Sequence, residues 1–506
     1  MTVPGPARRD PRAPQPVHPP TTATDPDRFT GFLDHTTLTL TMDCTQADLL
    51  AALARQEPDG PYDEVVATYV HELAHTGQAL GTTVGYYAWL LRSVQDDHVT
   101  RMLRWLVDAG LPIELPLLEY LPTVGADPDH GDPVLTGLLQ GWQLAEAMAM
   151  ELAGTPRAHL RAAMAFPVVA TTWEQRWSRL QLGILELYER RGSRWPQEFV
   201  LALASEPVRP TPEAFEALLV ALPSAYAYTV AGVMESAALA IEAYPDDEET
   251  LRPVLDGGAG IEGGEEIELY LLLERTRRTY PGLTTASLLA THLAACDVAL
   301  NPPCLPIHRL DRRGVDLREL HPVGRVVEIW NALGDAVRPA ADLDDAARCA
   351  DDICAALGWT PVTAVLERAA RSYRRDGTDP RGRAFATAMH GRLGYRPLLH
   401  DARVPLRGTG PLAEAYRSQL RPAFWSFTDQ WLPGTADHER TDALTLTTLR
   451  SAWTRTMVRG GEATLRVPVP MTPAALDSYA VRLAVALSTE VGKRLRPPEV
   501  ANPLGS

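Results

Sequence analysis

Five consecutive residues concentrate the chemistry: His71-Glu72-Leu73-Ala74-His75. The run before them, Glu64-Val65-Val66-Ala67-Thr68-Tyr69-Val70, is compatible with helix. Residues four apart on a helix lie one above the other on one face. His71 and His75 therefore point the same way and can bind one metal ion through their imidazoles. Glu72 lies beside that face, where its carboxylate can reach a water on the ion. The chemistry such a trio serves is hydrolysis: two histidines hold the metal, and the carboxylate takes a proton from the water.

A catalytic metal of this type needs a third protein ligand. The sequence offers Glu146, in Leu144-Ala145-Glu146-Ala147-Met148-Ala149-Met150-Glu151. Small and apolar neighbours mark the segment as buried, and a buried carboxylate requires a cation. The small residues would also let its helix come close to the histidine helix. Glu114 and Glu119 are weaker alternatives in a proline-interrupted stretch that reads as loop. An exposed Glu146 beside Gln143 and Glu151 is the competing structural reading.

A HExxH helix followed by a glutamate among small residues resembles the gluzincin class of zinc metallopeptidases. The longer run His71-Glu72-Leu73-Ala74-His75-Thr76-Gly77-Gln78 also resembles bacterial HExxHxxQ proteins. The resemblance covers residues 60–155. It implies His71, His75 and Glu146 as zinc ligands, Glu72 as general base, and a peptide or protein substrate. Two other readings stand beside it. Two histidines and one carboxylate also form the facial triad of non-haem Fe(II) enzymes, so a 2-oxoglutarate-dependent hydroxylase acting on peptides is an alternative. A non-catalytic helical scaffold is the other.

The elements that must position these residues are helical. Thr36–Met42 alternates polar and apolar residues and predicts a strand. Helices are expected over 43–55, over 62–94 with a break between Gly81 and Gly85, and over 97–109. Asp132-Pro133 opens a further helix that Gly154 closes. Residues 111–132 between them read as irregular. Later helices are expected at 158–166, 172–191, 212–222, 224–244, 265–278, 284–299, 323–336, 343–356, 360–374, 411–430, 441–458 and 472–493. A late strand over 463–469 is expected to partner the one near residue 40. The fold class is mainly α: a multi-helix, metallopeptidase-like domain with minor β strands and a helical C-terminal region. Residues 1–27 are rich in proline and poor in large apolar residues and predict a disordered tail. Residues 28–330 are expected to form the metal-binding domain, and 331–506 the helical C-terminal region.

The chain has 506 residues, with 48 Lys+Arg against 64 Asp+Glu, for a net charge of −16. That balance argues against a dedicated nucleic-acid binder, since phosphates attract basic surfaces. Gly257–Gly264 lacks a phosphate-loop pattern. Cys44, Cys296, Cys304, Cys349 and Cys354 show no zinc-finger spacing and read as free thiols in a reducing compartment. No secretory signal opens the sequence, and the charge-free run Ala217–Met234 reads as a buried helix below membrane-spanning length. A cytoplasmic protein without membrane association is expected. His321, the pair Tyr86 and Tyr87, and the Trp173–Trp177 segment read as structural.

Overall fold

The computed structural model describes residues 31–34, 39–56, 63–125, 133–153, 230–244, 251, 267–303, 322–334, 336–373, 424–429, 431–433, 438–460, 464–466 and 473–501. Within them the chain is mainly α with two small sheets, as its periodicity predicts. The strands are β1 (Gly31–Asp34), β2 (Thr39–Met42), β3 (Phe424–Ser426), β4 (Trp431–Pro433), β5 (Thr464–Arg466) and β6 (Glu499–Ala501). The first sheet has the order β1-β2-β3-β4, with β2 and β3 parallel and the outer pairs antiparallel. β5 pairs in parallel with β6 and not with the strand near residue 40, which corrects the expected pairing. The end of the helix expected at 411–430 is likewise a strand: alternating Trp425 and Phe427 suit a sheet, and β3 supplies β2 with its second partner. The helices expected at 158–166, 172–191 and 212–222, the tail 1–27 and the loop 257–264 lie outside the described residues.

Helix α1 (Gln46–Arg55) is closed at its start by a capping box between Thr45 and Asp48. Helix α2 (Glu64–Gly81) carries the HExxH motif and is capped by the Asp63 side chain. Thr82 ends α2 and caps the next helix, α3 (Thr83–Asp108), by accepting the Gly85 amide. The corner is tight. A Cβ on Gly85 would lie 2.2 Å from the Ala79 carbonyl oxygen, so only glycine lets the chain turn there. The expected break thus falls where the glycines placed it. After α4 (Leu117–Gly125), which interrupts the stretch expected to be irregular, comes α5 (Pro133–Ala153). The later helices are α6 (Val230–Glu242), α7 (Ile267–Thr279), α8 (Thr285–Leu300), α9 (Pro322–Ala332), α10 (Ala346–Leu357), α11 (Val362–Tyr373), α12 (His438–Arg459) and α13 (Pro473–Val491).

Two apolar cores hold these helices. The first is centred on α8, buried on every side from Ser287 to Leu300. Helices α6, α7, α9 and α10 surround it, and α2 packs on the outer side of α6, with the first sheet against α2. The second core joins the later part of α3 to α4, α5, α12 and α13 around Trp142, Met102 and Leu487. Residues of Val337–Leu366 enter the first core, and residues of Leu449–Val491 join residues 99–142 in the second. Among the described residues no helix is long and apolar enough to cross a membrane.

Candidate metal centre

The α2 periodicity puts His71 and His75 on the face that meets α6. His71 Nε2 and His75 Nε2 lie 3.2 Å apart, and their rings meet edge to face. One oxygen of Glu235, on α6, closes the triangle, at 3.0 Å from His71 Nε2 and 3.1 Å from His75 Nε2. A tetrahedral ion with bonds of ~2.0–2.1 Å to nitrogen and oxygen has ligand atoms roughly 3.3 Å apart. The triangle matches one face of such a shell and leaves the fourth position open. Among the described residues this is the one trio of His, Cys, Asp and Glu whose donor atoms come together to hold an ion.

A second ring of contacts fixes which nitrogens face inward. Glu242, two turns beyond Glu235 on α6, lies 2.9 Å from His71 Nδ1. With the proton on that nitrogen, Nε2 keeps its lone pair for a metal. Gln78 does the same for His75: its Oε1 lies 2.8 Å from Nδ1. The Gln78 amide N–H also donates to the Met234 carbonyl at 2.8 Å, which ties α2 to α6 beside the Glu235 backbone.

Burial and charge give the site its character. His75 is almost fully buried, while the Glu235 side chain is 43% exposed, so the cluster is open to solvent on the Glu235 side. Burial alone would discharge both histidines. Hydrogen bonds and charge from Glu235 and Glu242 outweigh it at His71 and hold its pKa well above the usual value. His75 is raised as well, burial again being outweighed by the Glu235 charge. Burial opposes ionisation of Glu235, but the His75 charge and the histidine hydrogen bonds hold its pKa well below the carboxylate range. The field at this spot favours a cation.

Glu72 differs from every other member of the cluster. It is buried, and its Oε2 has no hydrogen-bond partner among the described residues. Burial raises its pKa above the usual carboxylate value against the opposing histidine charges. A strand backbone covers it. A Cβ on Gly31 of β1 would sit 2.6 Å from Glu72 Cγ and 2.7 Å from Thr68 Cγ2. Glycine inside a strand here marks a close backbone approach.

Glu146 does not join the histidines, which corrects the expected ligand set. Its burial and its demand for a cation are as expected, since it is fully enclosed. The cations are guanidinium groups: Arg455 and Arg459 of α12 reach its Oε1 at 2.7 and 2.6 Å, and Gln95 donates to Oε2. Helix α5 packs along α3, not beside α2, so Glu146 faces the second core. Glu114 and Glu119 are exposed, the latter on α4, and neither belongs to the cluster. Tyr86 and Tyr87 fall on α3; His321 and Trp173–Trp177 lie outside the described residues.

Sequence reasoning missed Glu235, Glu242 and the bridging role of Gln78. The signal was present: Glu235 and Glu242 are seven apart, hence on one helix face, and Glu235 closes the charge-free run Ala217–Met234. No family model matches the chain, and no similar curated protein or solved structure was found.

Proposed function

We propose that the protein is a zinc-dependent hydrolase that cleaves an amide bond in a peptide or protein substrate, working in the cytoplasm. One observation carries the reading: three donor atoms spaced for a metal lie within electrostatic reach of a buried carboxylate, Glu72, whose Oε2 has no hydrogen-bond partner among the described residues. An orphaned buried carboxylate is costly, and a water on the open side of the trio would satisfy it. His71, His75 and Glu235 would hold the ion, with Glu242 and Gln78 orienting the rings. When bound, zinc acidifies a water to a pKa near 7 and polarises the scissile carbonyl.

The remaining work belongs to the chain. Glu72 Oε2 accepts the proton of the attacking water. The raised pKa of Glu72 makes its carboxylate a stronger base than a solvated one and suits it to give the proton on to the leaving amine. Gly31 keeps bulk water off that carboxylate because the strand backbone lies directly against it. The four cysteines among the described residues are free and buried, which accords with a reducing compartment.

The test joins metal analysis to one substitution. Purified protein should carry about one zinc per chain and cleave an unfolded protein such as casein. Glu72→Gln should keep the metal while activity falls ~10²–10⁴-fold. Iron with 2-oxoglutarate turnover would move the reading to the facial-triad oxygenases. Absence of any bound metal would leave a helical scaffold.

A further inference from the structure

The reading just given rests on the position of Glu235, the one ligand that comes from outside α2. Its two chain neighbours are held from opposite directions. On one side Gln78 of α2 donates to the Met234 carbonyl. On the other, Ser236 Oγ lies 2.8 Å from Nε2 of His292, a fully buried residue of α8.

His292 is not an isolated contact. Its Nδ1 lies 3.2 Å from Thr276 Oγ1 on α7, and that hydroxyl oxygen accepts the indole N–H of Trp330 on α9 at 2.9 Å. The Trp330 ring meets the imidazole edge to face. A polar chain therefore runs through the apolar core from α9 to α7, to α8, and to the residue next to Glu235. Each polar group buried there would cost free energy if left unpaired, and the last link, from His292 to Ser236, holds only while α6 keeps its rotation and height. A one-residue rotation of α6, about 100°, would break both the Gln78–Met234 and His292–Ser236 links and swing Glu235 off the histidines.

We propose that Gln78 and His292 form a bracket that fixes Glu235 in its metal-binding position before the ion arrives, with Gln78 and His292 as positioning residues. The proposal depends on the metal reading above and extends it. The HExxH helix supplies two ligands by its own periodicity. The third comes from another helix and needs a device to set its register, and the bracket is that device. It also accounts for the glutamine three residues after the second histidine, which serves both ligand-bearing helices at once.

The experiment measures zinc affinity of the full chain by competition with a chelator, alongside the visible absorption bands of the Co(II)-substituted protein. Ser236→Ala removes the His292 link without touching any ligand side chain. Gln78→Met removes the other link at similar volume together with the Gln78–His75 hydrogen bond, so Ser236→Ala is the variant that isolates the bracket. Each should weaken zinc binding ~10–100-fold, the usual cost of losing a group that supports a ligand, and should shift the Co(II) bands. Ser287→Ala, which deletes a buried hydrogen bond from α8 to the Ala340 carbonyl away from the site, should leave affinity and bands unchanged. In a Glu235→Ala background, Ser236→Ala should have no further effect on residual binding. Zinc affinity of Ser236→Ala and Gln78→Met within twofold of wild type would overturn the bracket, as would a full effect of Ser236→Ala persisting without Glu235. A wild-type protein that binds no zinc would instead defeat the metal reading beneath it.

Discussion

Glu146 and Glu235 are both glutamates carried on helices among uncharged neighbours, and the two halves of the molecule use them in opposite ways. In the second core, Glu146 meets two guanidinium groups, which are always charged, and its pKa is lowered by them against the effect of burial. Both carboxylate oxygens of Glu146 are paired there, although Arg455 Nε has no hydrogen-bond partner among the described residues. In the first core, Glu235 faces two imidazoles, whose charge depends on conditions, and beside them Glu72 holds an oxygen with no partner. The contrast separates a carboxylate that clamps helices together from one that waits for a further cation. Glu146 is fully enclosed and the Glu235 side chain is 43% exposed, and the titratability of the partners separates the two further.

The strongest way to break this comparison is to remove each carboxylate and follow the metal. Glu235→Ala should lower zinc affinity by more than about 100-fold, exceeding the loss of any supporting group, whereas Glu146→Ala should leave zinc stoichiometry unchanged in the folded protein. Equal effects would abolish the distinction. The next effect is on stability. Glu146→Ala leaves Arg455 and Arg459 facing each other without a counter-charge, and chemical denaturation should show a loss of about 3 kcal/mol, as for a broken buried pair; partial exposure of both arginines keeps it toward the lower end of that class.

The smallest effect concerns pH. Burial pushes His292 down to about 3, so it stays neutral in the folded protein. An unfolded histidine takes up a proton near pH 6.5. Between those values the unfolded chain binds more protons, so this residue's contribution to stability is complete above about pH 6.5 and is lost as the pH falls. From pH 7 to pH 5 the loss attributable to His292 should be about 2 kcal/mol. It should remain in the difference between wild type and His292→Gln, from which the other titrating groups, common to both, cancel.

The sequence carried the fold and the α2 half of the site because both depend on short-range order. Histidines four apart, a glycine-marked corner at 81–85 and Pro133 at a helix start are local signals, and each element stands where they indicate. The identity of the third ligand depends on which helices lie side by side. Glu235 is 164 residues from His71, and nothing within α5 or α6 states which of them packs on α2. Glu146 met every local criterion, burial and small neighbours included, and the first of the arginines that claim it, Arg455, comes from 309 residues further along the chain. The strand pairing failed for the same reason: alternation identifies β2 and β5 as strands but does not choose their partners.

Gly31 sets a constraint of a different kind. The wall over Glu72 is made of main chain, so no side chain of β1 has to be selected for contact with it, and the requirement at position 31 is for a missing atom. Even a methyl group there would clash with the Glu72 side chain and with Thr68 Cγ2, neither of which belongs to a metal ligand. The holding of the ion and the dryness of the base are therefore separable traits of one pocket: the first is written into α2 and α6, the second into a single hydrogen on a strand outside both helices.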